Sequence, residues 1–252
     1  MKELLQLPVL ASEHGKDVDN LIIYVHILMI VLFAGWLAYF AYALFRFYHK
    51  RNPKADYIGV KSHASSYIEG AVALVEVILL VGIAVPLWAK AVDKFPSEKE
   101  STVIQIVAQQ FAWNVRYPGK DGVFGKQDMH WVKSDNVFGV DPTDPNGKDD
   151  VQTLNEIHVA VNKPVIAYIS SKDVIHSFKV IAMRITQDAI PGMRIPVHFV
   201  PVKEGRYQIN CAQLCGNGHS SMAQGFLVVE SQAAFDNWMA SKARSGPAAS
   251  FE

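Results

Sequence analysis

Two long apolar runs open the chain, and short alternating ones fill most of the remainder. Residues 21–45 carry no formal charge over 25 positions, about 37 Å of helix against a hydrocarbon core of roughly 30 Å. Residues 71–89 are interrupted only by Glu76 and Pro86, and with residues 67–70 before them they are long enough to span with tilt. Beyond Pro96 the period changes to that of strands. Runs at 103–107, 156–161, 165–170, 177–180, 197–200, 207–210 and 225–230 are bounded by turn signals such as Asn162-Lys163-Pro164, Ile190-Pro191-Gly192 and Lys203-Glu204-Gly205. Many short strands at this spacing predict a sandwich or barrel. Residues 118–150, rich in Gly, Pro, Asp and Asn, read as a solvated surface excursion with little regular structure. Residues 231–243 read as an amphipathic helix with Ser231 as its N-cap, and the tail after Ser245 as disordered.

The predicted architecture is therefore a two-helix transmembrane hairpin followed by an all-β sandwich. Its expected parts are an N-terminal extramembrane segment (1–20), the hairpin (21–92), the β domain (93–243) and a flexible tail (244–252). Between the helices lies Arg46-Phe47-Tyr48-His49-Lys50-Arg51-Asn52-Pro53-Lys54, then Lys61, a basic loop that belongs on the cytoplasmic side. The β domain then lies outside, as in a bacterial-type inner membrane with its soluble part in the periplasm. The first twenty residues lack the pattern of a cleaved signal peptide, so the hairpin is the anchor. Zero formal net charge argues against a nucleic-acid partner.

The chemistry is concentrated in Cys211-Ala212-Gln213-Leu214-Cys215-Gly216-Asn217-Gly218-His219-Ser220-Ser221-Met222, which holds both cysteines of the chain. Thiolate, thioether and imidazole form a donor set suited to copper. A mononuclear blue-copper site has no use for a second Cys, whereas two thiolates can bridge two metal ions. A disulfide would leave His219 and Met222 unexplained, a structural zinc site has no role for Met222, and inert buried thiols have none for either. Two coppers also need a second imidazole from outside the loop. His176, in a turn between two strands, is the best choice, because His158 and His198 sit inside strands and the others lie in the tail, the membrane region, the basic loop or the excursion.

With Lys172-Asp173-Val174-Ile175-His176-Ser177 and Gln187-Asp188-Ala189-Ile190-Pro191-Gly192 preceding the copper loop, the chain resembles subunit II of the haem–copper cytochrome c oxidases. The resemblance covers nearly everything from the first membrane segment to the C-terminal helix. It implies a cupredoxin-like sandwich with a dinuclear CuA centre. Cys211 and Cys215 would bridge both coppers, His176 and Met222 would complete one, and His219 with the backbone carbonyl of Gln213 the other. Electrons would come from a cytochrome c and pass to haem in subunit I, where oxygen is reduced and protons are pumped. Asp188 would lie near subunit I, and Glu69 would match a carboxylate at a proton-uptake channel, with a helix N-terminal carboxylate as the plainer account of it.

The chain departs from the family pattern in several places. Gln213 replaces a usual Glu whose carboxylate reaches magnesium, so a magnesium site at the subunit I interface is placed in doubt. Gln110-Phe111-Ala112-Trp113 stands for a usual Gln-Trp-aromatic-Trp, leaving Phe111 and Trp113 at the electron-input stretch. Arg116 occupies a position that is often acidic, which points to a membrane-tethered donor or one docking through apolar contact. Glu76 stands where relatives often have Pro, and a carboxylate at that depth implies a function or a polar partner. The alternatives are the CuA subunit of a nitric oxide reductase, a quinol oxidase subunit, although these lose the copper ligands, and a membrane-tethered copper chaperone. The absence of a Cys-x-x-Cys-His motif rules out a fused cytochrome c domain.

Overall fold

The computed structural model describes residues 4–245 except 55, 56 and 60, and the side chains only to residue 243. It divides into two compact units, one made of the segment before Pro8 with Asp17–Lys90, the other of Pro8–Lys16 and the chain from Ala91 on.

The first unit contains all but the end residues of the two apolar helices, Gly15–Arg46 and Ala64–Val92, of 32 and 29 residues. Both are longer than the apolar runs alone. Nothing in the unit covers their most apolar stretches, so those faces need lipid or partner helices. The second helix contains a π-helical stretch, Ile78–Ala84, just ahead of Pro86, which has no N–H to donate. Glu69 and Glu76 are exposed on this helix, seven positions and about 10 Å apart along its axis.

The second unit is the expected cupredoxin-like β-sandwich. Its ten strands are β1 (Thr102–Gln109), β2 (Ala112–Tyr117), β3 (Val151–Leu154), β4 (Glu156–Ala160), β5 (Val165–Ser171), β6 (His176–Val180), β7 (Ile185–Ala189), β8 (Ile195–Phe199), β9 (Gly205–Cys211) and β10 (Gly225–Glu230). One sheet has the order β3-β2-β1-β5-β8, the other β4-β10-β9-β6-β7. Pairing is antiparallel except for β1 with β5 and β10 with β4. Ile104, Ile106, Trp113, Val115, Ile157, Val159, Ile169, Phe178, Ile209 and Leu227 fill the core. In β10 burial alternates residue by residue, as a strand with one solvated face should.

Strands β2, β3 and β7 are absent from the sequence reading, and β2 shows why. All six of its residues are buried, so it has no polar face to alternate with. The outer face is covered by residues 118–150, which form short 3₁₀ turns yet bury Val137, Phe138 and Val140. That segment is packed against the sheet rather than solvated. Arg116 is the reason it can pack. Fully buried, it donates from Nε to Asp150 at 2.9 Å and from Nη2 to the same carboxylate, and it reaches Gly125 O at 2.8 Å and Gln105 Oε1 at 3.3 Å. Its guanidinium also lies over Phe124 and Phe138.

Two further segments close the sandwich. Pro8–Lys16 straps across the β7 side, with Ala11 N donating to Ala182 O at 2.9 Å, Ser12 Oγ to Met183 O at 2.7 Å and Val202 N to Ala11 O at 2.8 Å. The C-terminal helix, Gln232–Ser245, has the expected cap, Ala234 N donating to Ser231 Oγ at 3.2 Å. On it Trp238 stacks flat on His158, whose ring nitrogens meet Glu230 at 2.7 Å and Glu156 at 3.0 Å, while Lys242 donates to Glu156 at 3.1 Å. Burial works against the charge of Glu156, but the bonds from His158 and Lys242 outweigh it and hold the carboxyl below its usual range. The tail after Ser245 lies outside the described residues.

Candidate metal centre

Six donors from two segments meet at one end of the sandwich. His176 opens β6 and is fully buried, rather than sitting in a turn. Its Nδ1 lies 3.2 Å from Met222 Sδ and 4.0 Å from Cys211 Sγ. Cys211 ends β9, with Sγ 3.9 Å from Cys215 Sγ and 3.0 Å from the Gln213 carbonyl oxygen. Cys215 Sγ is 3.4 Å from Met222 Sδ and 3.4 Å from His219 Nδ1. Both cysteines are free, so this structure contains no disulfide between them. Every donor named from the sequence is here, Gln213 through its carbonyl, while its side chain is exposed to solvent.

The local chain explains this convergence. The β6–β9 ladder sets Phe178 against Cys211, which brings the strand ends carrying His176 and Cys211 together. The loop then turns back at Gly216, whose φ of +138° is a conformation that favours glycine. Gly218 leaves room for an aromatic ring, because a Cβ there would sit 2.3 Å from Phe111 Cδ2.

The electrostatics fit a bound cation. Burial pushes the Cys215 thiol up to about 11, and the neighbouring Cys211 and Asp173 add to the rise. A Cys215 thiolate is therefore favoured by positive charge at the site, which is what metal ions provide to coordinating thiols. His176 is also prepared as a ligand. Its Nε2 meets Asp173 Oδ1 at 2.9 Å, and because a carboxylate only accepts, Nε2 carries the proton and the Nδ1 lone pair is left facing the sulfurs. Burial opposes the charge of Asp173, but bonds from Gln110 N at 2.7 Å, from His176 and from Val174 N at 2.7 Å outweigh it and hold that carboxyl below its usual range. Soft sulfurs with two imidazoles suit copper.

The remaining predicted residues are distributed around and away from the donors. Phe111 is half-buried against the loop glycines. Trp113 is fully buried, with Nε1 donating to Met222 O at 3.0 Å and its ring edge-on to His176 at 6.3 Å. Asp188 is exposed on β7, paired with Ser177 beside His176. Glu69 lies in the other unit. Arg116 is a correction, since a buried guanidinium bound to Asp150 is not a surface charge and removes no acidic docking patch. Asp173 and Gln110 were missed as supports of the site. The position of Asp173 three residues before His176 was a usable signal for it, whereas Gln110 was marked only as the first residue of the electron-input stretch, with nothing local to place it against Cys215.

Residues 102–231 match the family model for the periplasmic domain of cytochrome c oxidase subunit II. The alternative cytochrome c oxidase subunit 2 of Bradyrhizobium diazoefficiens is 32% identical over 210 residues, covering 82% of this chain and 74% of that protein. A probable cytochrome c oxidase subunit 2 of Rickettsia conorii is 31% identical over 237 residues, covering 93% and 69%. Among solved structures, the periplasmic domain of subunit II of the Bradyrhizobium japonicum cytochrome oxidase is 27% identical, covers 60% of this chain and 97% of that one, and aligns with a TM-score of 0.44.

Proposed function

Because this chain belongs to the cytochrome c oxidase subunit II family, we propose that it is the electron-accepting subunit of a haem–copper terminal oxidase. In this reading it receives electrons from a cytochrome c and passes them to haem in subunit I, where oxygen is reduced to water and protons are pumped. The observation that carries the reading is the convergence of His176, Cys211, Cys215, His219, Met222 and the Gln213 carbonyl, with neighbouring donor atoms between 3.0 and 4.0 Å apart. Two copper ions held there would supply one-electron redox chemistry. Cys211 and Cys215 would hold them together with His176, Met222, His219 and the Gln213 carbonyl.

The protein's own part is to hold these donors still. Cys211 and His176 sit on paired strand ends, Trp113 holds the Met222 carbonyl and Asp173 holds the His176 ring, so a change of one electron moves little. With Arg116 buried, the case for a donor docking through apolar contact or tethered to the membrane rests on Phe111 in the electron-input stretch. Asp188 would face subunit I, and Glu69 would serve proton uptake from the cytoplasmic side. In the same reading the basic loop at residues 46–54 faces the cytoplasm and the copper domain lies on the outer side of the inner membrane. The exposed Gln213 amide replaces the carboxylate used for magnesium, so that site is altered or missing.

The full-length chain, purified in detergent after growth with copper, is expected to hold two copper ions. Its half-reduced spectrum should show one electron shared between two copper nuclei. One copper per chain, or a preference for zinc, would refute the assignment.

A further inference from the structure

The β6–β9 ladder secures only one side of the metal centre. Ala212 N donates to Ser177 O at 2.9 Å, so Cys211 is set against His176, but Cys215, His219 and Met222 lie beyond the last ladder bond. The other side is held from the opposite sheet. Between β1 and β2 the chain turns at Gln110 and Phe111, and Gln110 reaches both ligand-bearing segments at once. Its backbone N–H donates to Asp173 Oδ2 at 2.7 Å, while Oδ1 of that carboxylate takes the His176 proton. Its side-chain Nε2 donates to the Cys215 carbonyl at 2.6 Å. One residue thus spans from the group that aims His176 to the backbone of the second cysteine. Phe111 fills the space over Gly216 and Gly218, so packing and hydrogen bonding at this turn belong to different side chains.

We propose that Gln110 is a positioning residue of the metal centre, whose side-chain amide fixes the Cys215 thiol at its distance from His176 so that both sulfurs can serve both metal positions. The inference rests on the copper reading above. Without the amide, the Cys211 half of the site keeps its ladder, while the Cys215 segment is left with the Trp113 bond to the Met222 carbonyl and can drift at Cys215 itself. The two metal positions would then become unequal before the fold itself is disturbed.

The test compares the unaltered full-length chain with Gln110→Met, close in size but without a donor, and with Gln110→Glu, the same shape but an acceptor when ionised. Loss of one such bond should speed copper release to a chelator by about 2- to 12-fold. The hyperfine pattern should shift toward uneven sharing of the electron between the two nuclei, with unchanged far-ultraviolet circular dichroism in the copper-free state. If Gln110→Met does not fold, Gln110→Glu decides by the same two readouts. An unaltered chain that holds two coppers alongside variants with its release rate and hyperfine pattern overturns this inference alone. An unaltered chain that holds fewer than two overturns the copper reading and this inference together.

Discussion

Replacing Arg116 with Ala should unfold the outer cover of β2 while leaving the metal ligands in place. The side chains of Arg116 and Asp150 are both fully shielded from solvent. Removing the guanidinium deprives Asp150 of its cation and Gly125 O of its donor at 2.8 Å, leaving Gly125 N at 3.2 Å as support for the buried carboxylate. Breaking a buried pair from one side costs about 3–5 kcal/mol, because the surviving charge is stranded. At roughly 2–4 °C per kcal/mol for a domain of this size, the midpoint should fall by about 10 °C. Arg116→Met combined with Asp150→Leu removes both charges and should recover most of the loss. Thermal unfolding of the full-length chain followed by near-ultraviolet circular dichroism measures both effects. Hydrogen exchange should locate the loosening in residues 118–150, with copper content unchanged. A single variant within about 1 kcal/mol of the parent, or a double variant as unstable as the single, would refute the reasoning.

Two further outcomes test the packing around the site and at the terminal helix. Gly218→Ala places a methyl 2.3 Å from the Phe111 ring and should destabilise the domain by about 1–3 kcal/mol, and Phe111→Ala in the same chain should relieve part of that cost, a coupling that a double-mutant cycle in urea would read. Because the folded-state pKa of Glu156 is lowered from 4.5, its contribution to stability is present above that value and is lost as pH falls through the folded-state value. Glu156→Gln should therefore lower stability at neutral pH and converge on the parent in acid, and an equal gap at both pH values would count against the Lys242 and His158 contacts as its source.

The sequence made the site legible wherever function needed neighbours along the chain. Four side-chain donors lie within residues 211–222, and the soft character of their atoms pointed to copper before any geometry was known. His176 could be selected because the other histidines lay in worse places. The support of these donors was not legible in the same way. Gln110 and Cys215 are 105 positions apart and meet only because β1 and β9 belong to opposing sheets. The fold divides along a similar line. Strands with one wet face, such as β10, announced themselves by alternation, whereas β2 is buried on both faces and β7 was hidden in the Gln187–Gly192 motif. Arg116 misled for the same reason as β2, since a charge in a strand is ordinarily a surface residue until another segment covers it.

The strap at Pro8–Lys16 sets a timetable for biosynthesis. Ser12 leaves the ribosome 171 positions ahead of its acceptor on Met183. At bacterial elongation rates that is a wait on the order of ten to thirty seconds. The first membrane helix, which begins at Gly15, is complete long before the strap's partners exist. The edge of the sandwich that the strap covers therefore remains unpaired until the chain has been made beyond Met183, and the sandwich gains this segment only after most of its strands exist.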